Sequence, residues 1–391
     1  MRTFWLSCVR FFTSLQLTVV LLVLSILLVF VATLDQVNLG VWAVQEKYFR
    51  SFFVWWTVPG TAFALPVFPG GYLVGGLLFF NLLAAQGYRF TFAWRKSGLL
   101  LAHLGLLLLL VGELLAGLWQ QDFQMHLEQG ETKNYSESFR RYELAILDTT
   151  DPKWDEVVAV PDSLLADKNS IQHPKLPFRA VVRDYYPNAT LEMRQEKTAL
   201  PPSPATAGFG PQFATIPLPV SYREDDTNNP AAFVEFVGPD GSLGTFLVSP
   251  LLVMPQTFSY GGHNFSITLR LARNYKPFSL TLLELHHDIY PGSDIPKNFS
   301  SRVRLNSADG KDDRVVVIYM NNPLRYGGLT FYQYQMNADS HFSVLEVVRN
   351  PSWQLPYISC SLIALGLVIQ FGLSLSGFFR NRRAAAPAPV A

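Results

Sequence analysis

Apolar residues in this chain are gathered into long runs. No charge lies between Arg10 and Asp35, and Leu15–Leu34 is almost wholly Leu, Val, Ile and Phe. A second uncharged stretch separates Arg50 from Arg89. Its first half carries Trp55, Trp56, Pro59, Pro66 and Pro69, and its second half, Gly71–Tyr88, reads as a helix. A third run, Ser97–Trp119, is interrupted only by His103 and Glu113, and a fourth lies between Arg349 and Arg380, centred on Leu355–Phe378. About 20 apolar residues carry a helix across a bilayer core. The pattern therefore predicts four transmembrane helices, at about 13–34, 71–88, 97–119 and 353–379, the second being the shortest. The first run is far longer than the roughly 7–15 apolar residues of a cleavable signal peptide, so it reads as a retained span.

Between residues 120 and 352 the pattern changes to period-2 alternation broken by Gly, Pro, Asn and Asp, which predicts strands. The expected strands are Arg141–Asp148, Arg179–Tyr186, Ala232–Val237, Gly244–Val248, Asn264–Ala272, Ser279–Leu285, Arg302–Leu305, Arg314–Met320, Thr330–Met336 and Phe342–Arg349. Pro201–Pro230 reads as a long loop. The fold class is thus an integral membrane protein with four transmembrane α-helices and a large mostly-β extracytoplasmic domain, a sandwich or open barrel, inserted between helices 3 and 4. Its parts would be 1–119 (membrane, three helices), 120–352 (β domain), 353–379 (fourth helix) and 380–391 (a disordered cytoplasmic tail).

Charge sharpens this picture. Only 16% of the 391 residues are charged, against roughly 25% in soluble domains. Lys+Arg is 31 and Asp+Glu is 30, so the net charge of +1 excludes the basic excess of a nucleic-acid binder. Two cysteines, Cys8 and Cys360, exclude a disulfide scaffold or a Cys-ligated cluster. The basic residues near the spans form three clusters: Arg2 with Arg10, then Arg89, Arg95 and Lys96, then Arg380, Arg382 and Arg383. With four spans these fall on one side, which the positive-inside rule makes cytoplasmic. Both termini are then cytoplasmic, and 35–70 and 120–352 lie outside.

Candidate chemistry is sparse. There is no P-loop, Gly-x-Ser-x-Gly or His-Glu-x-x-His motif. Without Cys-x-x-Cys-His the chain is not itself a c-type cytochrome. His103 stands out because an ionisable side chain at membrane depth is costly and marks a functional site by default. It lies roughly 9 Å in from Ser97. The residues alone leave two readings open: an axial ligand for haem iron, or a neutral histidine hydrogen-bonded to a neighbouring helix. Gly98, Gly105 and Gly112 recur every seventh residue and form a small-residue stripe suited to close helix packing. His103 lies about 140–160° round the helix from it. Glu113 reads as an interfacial carboxylate, and Tyr48–Trp56 as an aromatic belt. His286-His287-Asp288 is a weak metal signal because strand neighbours face opposite ways. His126, His173, His263 and His341 are scattered.

Two C-terminal stretches carry a family resemblance. Asn321-Asn322-Pro323-Leu324-Arg325-Tyr326-Gly327-Gly328-Leu329-Thr330-Phe331-Tyr332-Gln333, and Phe342–Pro351 leading through Trp353 and Pro356 into the last span, resemble ResB/CcsB-like cytochrome c biogenesis proteins. Thr13–Thr18 and Pro69-Gly70-Gly71-Tyr72 are similar too, as is the layout of three spans, an exported domain and a final span. The resemblance implies a bacterial inner-membrane subunit of a system II holocytochrome c synthase (haem lyase), non-catalytic or co-catalytic. It implies a ResC/CcsA-like membrane partner, apocytochrome c as client, and haem b as a cofactor in transit; thiol-redox proteins are further candidate partners. No catalytic residue is assigned. The family's transmembrane haem-ligand histidine maps onto His103, which would hold metal through the haem iron. The competing expectation is a structural scaffold whose β domain docks apocytochrome c or a thiol-redox protein without binding haem.

Overall fold

In the computed structural model, residues 7, 9–58, 61, 63–89, 93–194, 202–221, 226–292, 296–337 and 341–384 are described. Arg2, Cys8, Pro59 and the last residues of the expected tail, 385–391, lie outside them. The chain divides into two compact units: residues 1–120 with 350–391 (and 222–224), and residues 121–221 with 225–349.

The first unit is helical. Helix α1, Leu15–Leu39, begins after extended Ser14 and stops at Gly40, whose φ of 79° suits glycine. It runs past its expected end at 34 because Asp35 is neutralised where the helix leaves the apolar zone. Lys47 Nζ and the Tyr48 hydroxyl both donate to Asp35 Oδ2, at 2.7 and 2.8 Å. Leu28 and Ala32 of α1 then pack with Val44, Tyr48 and Val54 as a small core. Strands β1 (Phe53–Thr57) and β2 (Ala64–Pro69) form a hairpin where the sequence reads as a proline-rich loop. A two-stranded ribbon leaves one edge of β2 unpaired, which is where proline is tolerated. Chain return to the next helix needs Gly70, since a Cβ there would lie 2.2 Å from the Ser51 carbonyl oxygen.

Helix α2 spans Gly71–Ala84 and continues as a π turn, Ala85–Arg89. Helix α3 is Ser97–Trp119 and α4 is Leu355–Ala384. Among the described residues three helical segments are long and apolar enough to cross a membrane: Leu15–Leu39, Trp94–Trp119 and Leu355–Arg380. The expected second span is not one of them, because its regular helix stops at 14 residues. α4 carries the helical backbone to Ala384, past the expected end of the fourth span at 379.

The second unit is built from β3 (Gln121–Glu128), β4 (Thr132–Asp148), β5 (Glu156–Pro161), β6 (Ser170–Ile171), β7 (Arg179–Tyr186), β8 (Ala189–Met193), β9 (Phe213–Pro217), β10 (Ala231–Gly238), β11 (Gly241–Val248) and β12 (Gln256–Tyr260). It continues through β13 (His263–Ile289), β14 (Pro296–Ser307), β15 (Asp313–Tyr319), β16 (Leu324–Tyr326), β17 (Leu329–Asn337) and β18 (Phe342–Arg349). A ten-stranded sheet runs β15-β14-β13-β4-β3-β18-β17-β16, with β12 added to β13 and β5 to β4. A four-stranded sheet runs β11-β10-β7-β6, and β8 pairs with β9. Strand β9 of that ribbon corrects the expectation of a long loop over 201–230.

Two hydrophobic cores share the long strand β13. The first lies between the four-stranded sheet and β4, β5, β12 and the start of β13, as in a sandwich. Phe178 sits at its centre, with Phe236, Phe258 and Phe265 ring centroids 4.9–5.4 Å away. The second is enclosed by β3, the end of β13, and β14 to β18, around Met125, Leu280, Leu305, Phe331 and Val347. Its sheet curls so that β15, at one end of the strand order, returns to β16 and β17 at the other, as in an open barrel. The expected strands Asn264–Ala272 and Ser279–Leu285 are one strand, β13, with a register shift against β4 between Tyr275 and Leu280.

Lys276 sits at that shift, 7% exposed. Its Nζ donates to Ser136 Oγ at 2.6 Å and to the Asn274 carbonyl at 2.9 Å. The Ser–Lys pairing has the donor set of a nucleophilic dyad, but Ser136 is fully buried and offers a substrate no approach. Burial lowers the Lys276 pKa from 10.5 to about 8. The folded state therefore binds fewer protons than the unfolded chain between those values, and stability rises with pH across that window. The displacement corresponds to about 3 kcal/mol. In Lys276→Met this gain is expected to vanish. The melting-temperature difference, variant minus wild type, should fall as pH rises from 7 to 10.5; a difference that stays constant would contradict the burial argument.

Candidate functional site

The glycine stripe of α3 does what its spacing predicts. Gly98, Gly105 and Gly112 are buried and face α4. A Cβ at Gly98 would stand 2.5 Å from the Gly366 carbonyl oxygen and from the Gln370 amide nitrogen. At Gly105 it would stand 2.6 Å from Ile363 Cγ1 and 2.8 Å from the Ser359 carbonyl oxygen. Backbones this close gain dispersion along their whole contact, which is the main attraction available between helices in lipid. Gln370 Oε1 accepts from the Leu99 amide at 3.2 Å and adds a polar tie.

His103 points elsewhere, toward the end of α2. Its Nδ1 lies 2.7 Å from the side-chain amide nitrogen of Gln86. Gln86 belongs to the π turn Ala85–Arg89, and such turns recur at functional sites. The Gln86 amide oxygen is buried with no hydrogen-bond partner among the described residues. His103 itself is half-buried, and among the described residues its hydrogen bond is made through Nδ1, so one ring nitrogen is held and Nε2 is open. An imidazole tied in this way has the form of a haem ligand once the amide oxygen, rather than the nitrogen, faces Nδ1 and accepts its proton.

A second polar residue fixes α2. Asn81 is 3% exposed. Its Nδ2 donates to the Phe12 and Ser14 carbonyls at 2.7 and 3.2 Å, and its Oδ1 accepts from Thr18 Oγ1 at 2.6 Å. Asn81 thereby satisfies carbonyls exposed where the chain breaks before α1. Sequence reasoning misses both amides. The signal is nonetheless present: Asn81 and Gln86 are the amide side chains in an otherwise apolar run from Gly71 to Tyr88.

The other candidates separate. Glu113 is exposed on α3, as an interfacial carboxylate would be. Trp55 and Trp56 are half exposed on the hairpin. His287 stacks on Phe299 at 4.8 Å, whereas His286 lies 3.7 Å from Glu284, so the adjacent histidines have different surroundings. His263 Nδ1 is 2.7 Å from Asp148 Oδ2, His173 Nδ1 accepts from the Lys175 amide, and His126 is exposed on β3. His341 occupies a turn with φ 53°. Among the described residues no three His, Cys, Asp or Glu side chains gather as a metal site.

Three helices long and apolar enough to cross a membrane, joined in sequence to a large mostly-β unit, point to a membrane protein. Within that unit, residues 252–340, from the segment before β12 to just past β17, match the ResB-like family. The chain is also 35% identical over 92 residues to the protein NrfI of Wolinella succinogenes. That alignment covers 24% of this chain and 10% of NrfI, so the chain spans about a tenth of the relative it matches.

Proposed function

We propose that this protein is a membrane subunit of a system II cytochrome c synthase, acting in cytochrome c biogenesis with a ResC/CcsA-like partner. Haem crosses the membrane as cargo and is attached covalently to apocytochrome c on the outer side. His103 supplies one axial ligand through Nε2 during that passage. The carrying observation is a membrane-embedded imidazole whose Nδ1 is tied to Gln86 while Nε2 has no hydrogen-bond partner among the described residues, in a chain with a ResB-like segment.

In this reading α2 and its π turn are the fourth crossing. Fourteen α-helical residues cover about 21 Å at 1.5 Å each, and the turn lengthens that path toward Arg89. Both termini are cytoplasmic and the β unit is periplasmic, following the three basic clusters. His103 then sits nearer the cytoplasmic face, where haem enters. Haem iron takes two axial ligands and His103 supplies one; the second comes from the partner, which also holds the attachment chemistry.

The Gln86–His103 hydrogen bond equally favours the scaffold reading, in which His103 is only a helix contact. Co-purification separates the two. A tagged form of this chain, expressed with a ResC/CcsA-like protein, should bring that protein down with a bound-haem spectrum. A complex without haem would leave the scaffold reading standing, and absence of the partner would remove the synthase reading.

A further inference from the structure

The contact between Gln86 and His103 joins two helices through one pair of atoms, at the position that decides whether the imidazole can bind iron. A neutral imidazole carries a single N–H, and the nitrogen opposite it is the ligand. With the amide nitrogen of Gln86 toward Nδ1, the histidine must accept there, its proton sits on Nε2, and iron binding is blocked. The amide oxygen is then buried without a partner among the described residues. Turning the Gln86 amide about its last bond exchanges oxygen and nitrogen at the same 2.7 Å separation. Nδ1–H now donates to Oε1, the amide nitrogen takes the buried place without a partner among the described residues, and the Nε2 lone pair of His103 is free.

We propose that Gln86 is the positioning residue for His103, its amide oxygen accepting Nδ1–H and so fixing the tautomer and ring orientation that present Nε2 to haem iron. The π turn Ala85–Arg89 is the local structure that aims Gln86 at α3. A Cβ at the neighbouring Gly87 would meet nothing within 4 Å, so that turn is uncrowded. Outer hydrogen bonds of this kind raise the basicity of the ligand and change metal affinity 10–100-fold when removed. The inference rests on the reading of His103 as a haem ligand.

The test uses the full-length protein purified with its partner. Haem content, the visible and electron-paramagnetic-resonance spectra, and the haem midpoint potential are measured for wild type, Gln86→Leu, Gln86→Glu and His103→Ala. Gln86→Leu is expected to lower haem affinity 10–100-fold and raise the midpoint potential. Gln86→Glu, a stronger acceptor, should retain haem with a lowered potential, because a more basic imidazole favours ferric iron. A helix contact alone would not move the potential in opposite directions in the two variants. If His103→Ala loses haem while both Gln86 variants keep wild-type affinity and potential, the positioning role is overturned and the ligand reading survives. If His103→Ala leaves haem and spectrum unchanged, or wild type carries none, both fall. Should Gln86→Leu fail to accumulate, the potential of Gln86→Glu decides: unchanged, it overturns the role.

Discussion

Replacing His103 with alanine is expected to strip haem from the purified complex, leaving under about a tenth of the wild-type content, as loss of an axial ligand should. The imidazole is half-buried within α3 and anchored by Gln86 among the described residues. Alanine removes the ligand but keeps the helix, since it is the best helix former. No neighbouring histidine can substitute: His103 is the one histidine in any of the apolar runs. The cost to folding is small, because interhelical hydrogen bonds in membranes are worth around 1 kcal/mol or less. Protein and partner should therefore accumulate normally while the haem absorption disappears. Added imidazole, able to enter the space left by the ring, should restore part of the spectrum and of holocytochrome formation. Unchanged haem content and spectrum would remove His103 from the pathway of haem.

The second large effect is expected at the α3–α4 contact, where the same chemical change should have opposite signs at two positions of one helix. Glycine to alanine in a helix interior normally stabilises by up to about 1 kcal/mol. At Gly117, where nothing lies within 4 Å of a new Cβ, Gly117→Ala should be neutral or stabilising. At Gly98 the new Cβ would meet the Gly366 carbonyl oxygen and the Gln370 amide nitrogen at 2.5 Å. Those are backbone atoms, so the helices themselves must separate. Overpacking costs of about 1–3 kcal/mol are typical, even where side chains alone adjust. Gly98→Ala should lower the thermal midpoint in detergent, and Gly105→Leu should lower it further. Equal behaviour of Gly98→Ala and Gly117→Ala would show that the helices do not meet along the stripe.

These two sites differ in how far the sequence reveals them. The heptad spacing of Gly98, Gly105 and Gly112 announces a packing face, and α4 fills it. His103 is equally legible, as a costly side chain in a charge-poor run. Its partner is not, because an expectation of one regular helix over 71–88 gives no reason for residue 86 to turn toward α3. The π turn that supplies the reason depends on tertiary packing rather than on local pattern. In the β unit, Arg179–Tyr186 and Phe342–Arg349 are legible to the residue. Asn274-Tyr275-Lys276-Pro277 has the look of a turn, and its polar character leads to an expectation of two strands around it. The strand runs through because Lys276 finds Ser136 and the Asn274 carbonyl, so a polar segment is satisfied inside the sheet. β3 is missing from the expected strands although Phe123, Met125 and Leu127 alternate plainly. Its position directly after Trp119 puts it in the shadow of the apolar helix.

The length of β4 and β13 bears on where this protein can be cut. Residues 252–340 form the recognisable ResB-like segment, yet they do not bound a foldable piece. β13 pairs along much of its 27 residues with β4, which lies far upstream. The barrel-like core takes Phe123, Met125 and Leu127 from β3, and Leu345 and Val347 from β18, all outside the segment. An excised 252–340 peptide would expose bare strand edges and fragments of two cores, a recipe for aggregation. β13 feeds both cores, with Phe265, Ile267 and Leu269 in the first and Phe278, Leu280 and Leu282 in the second, so a cut inside it opens both. A truncation that keeps both cores whole therefore has to run from β3 through β18.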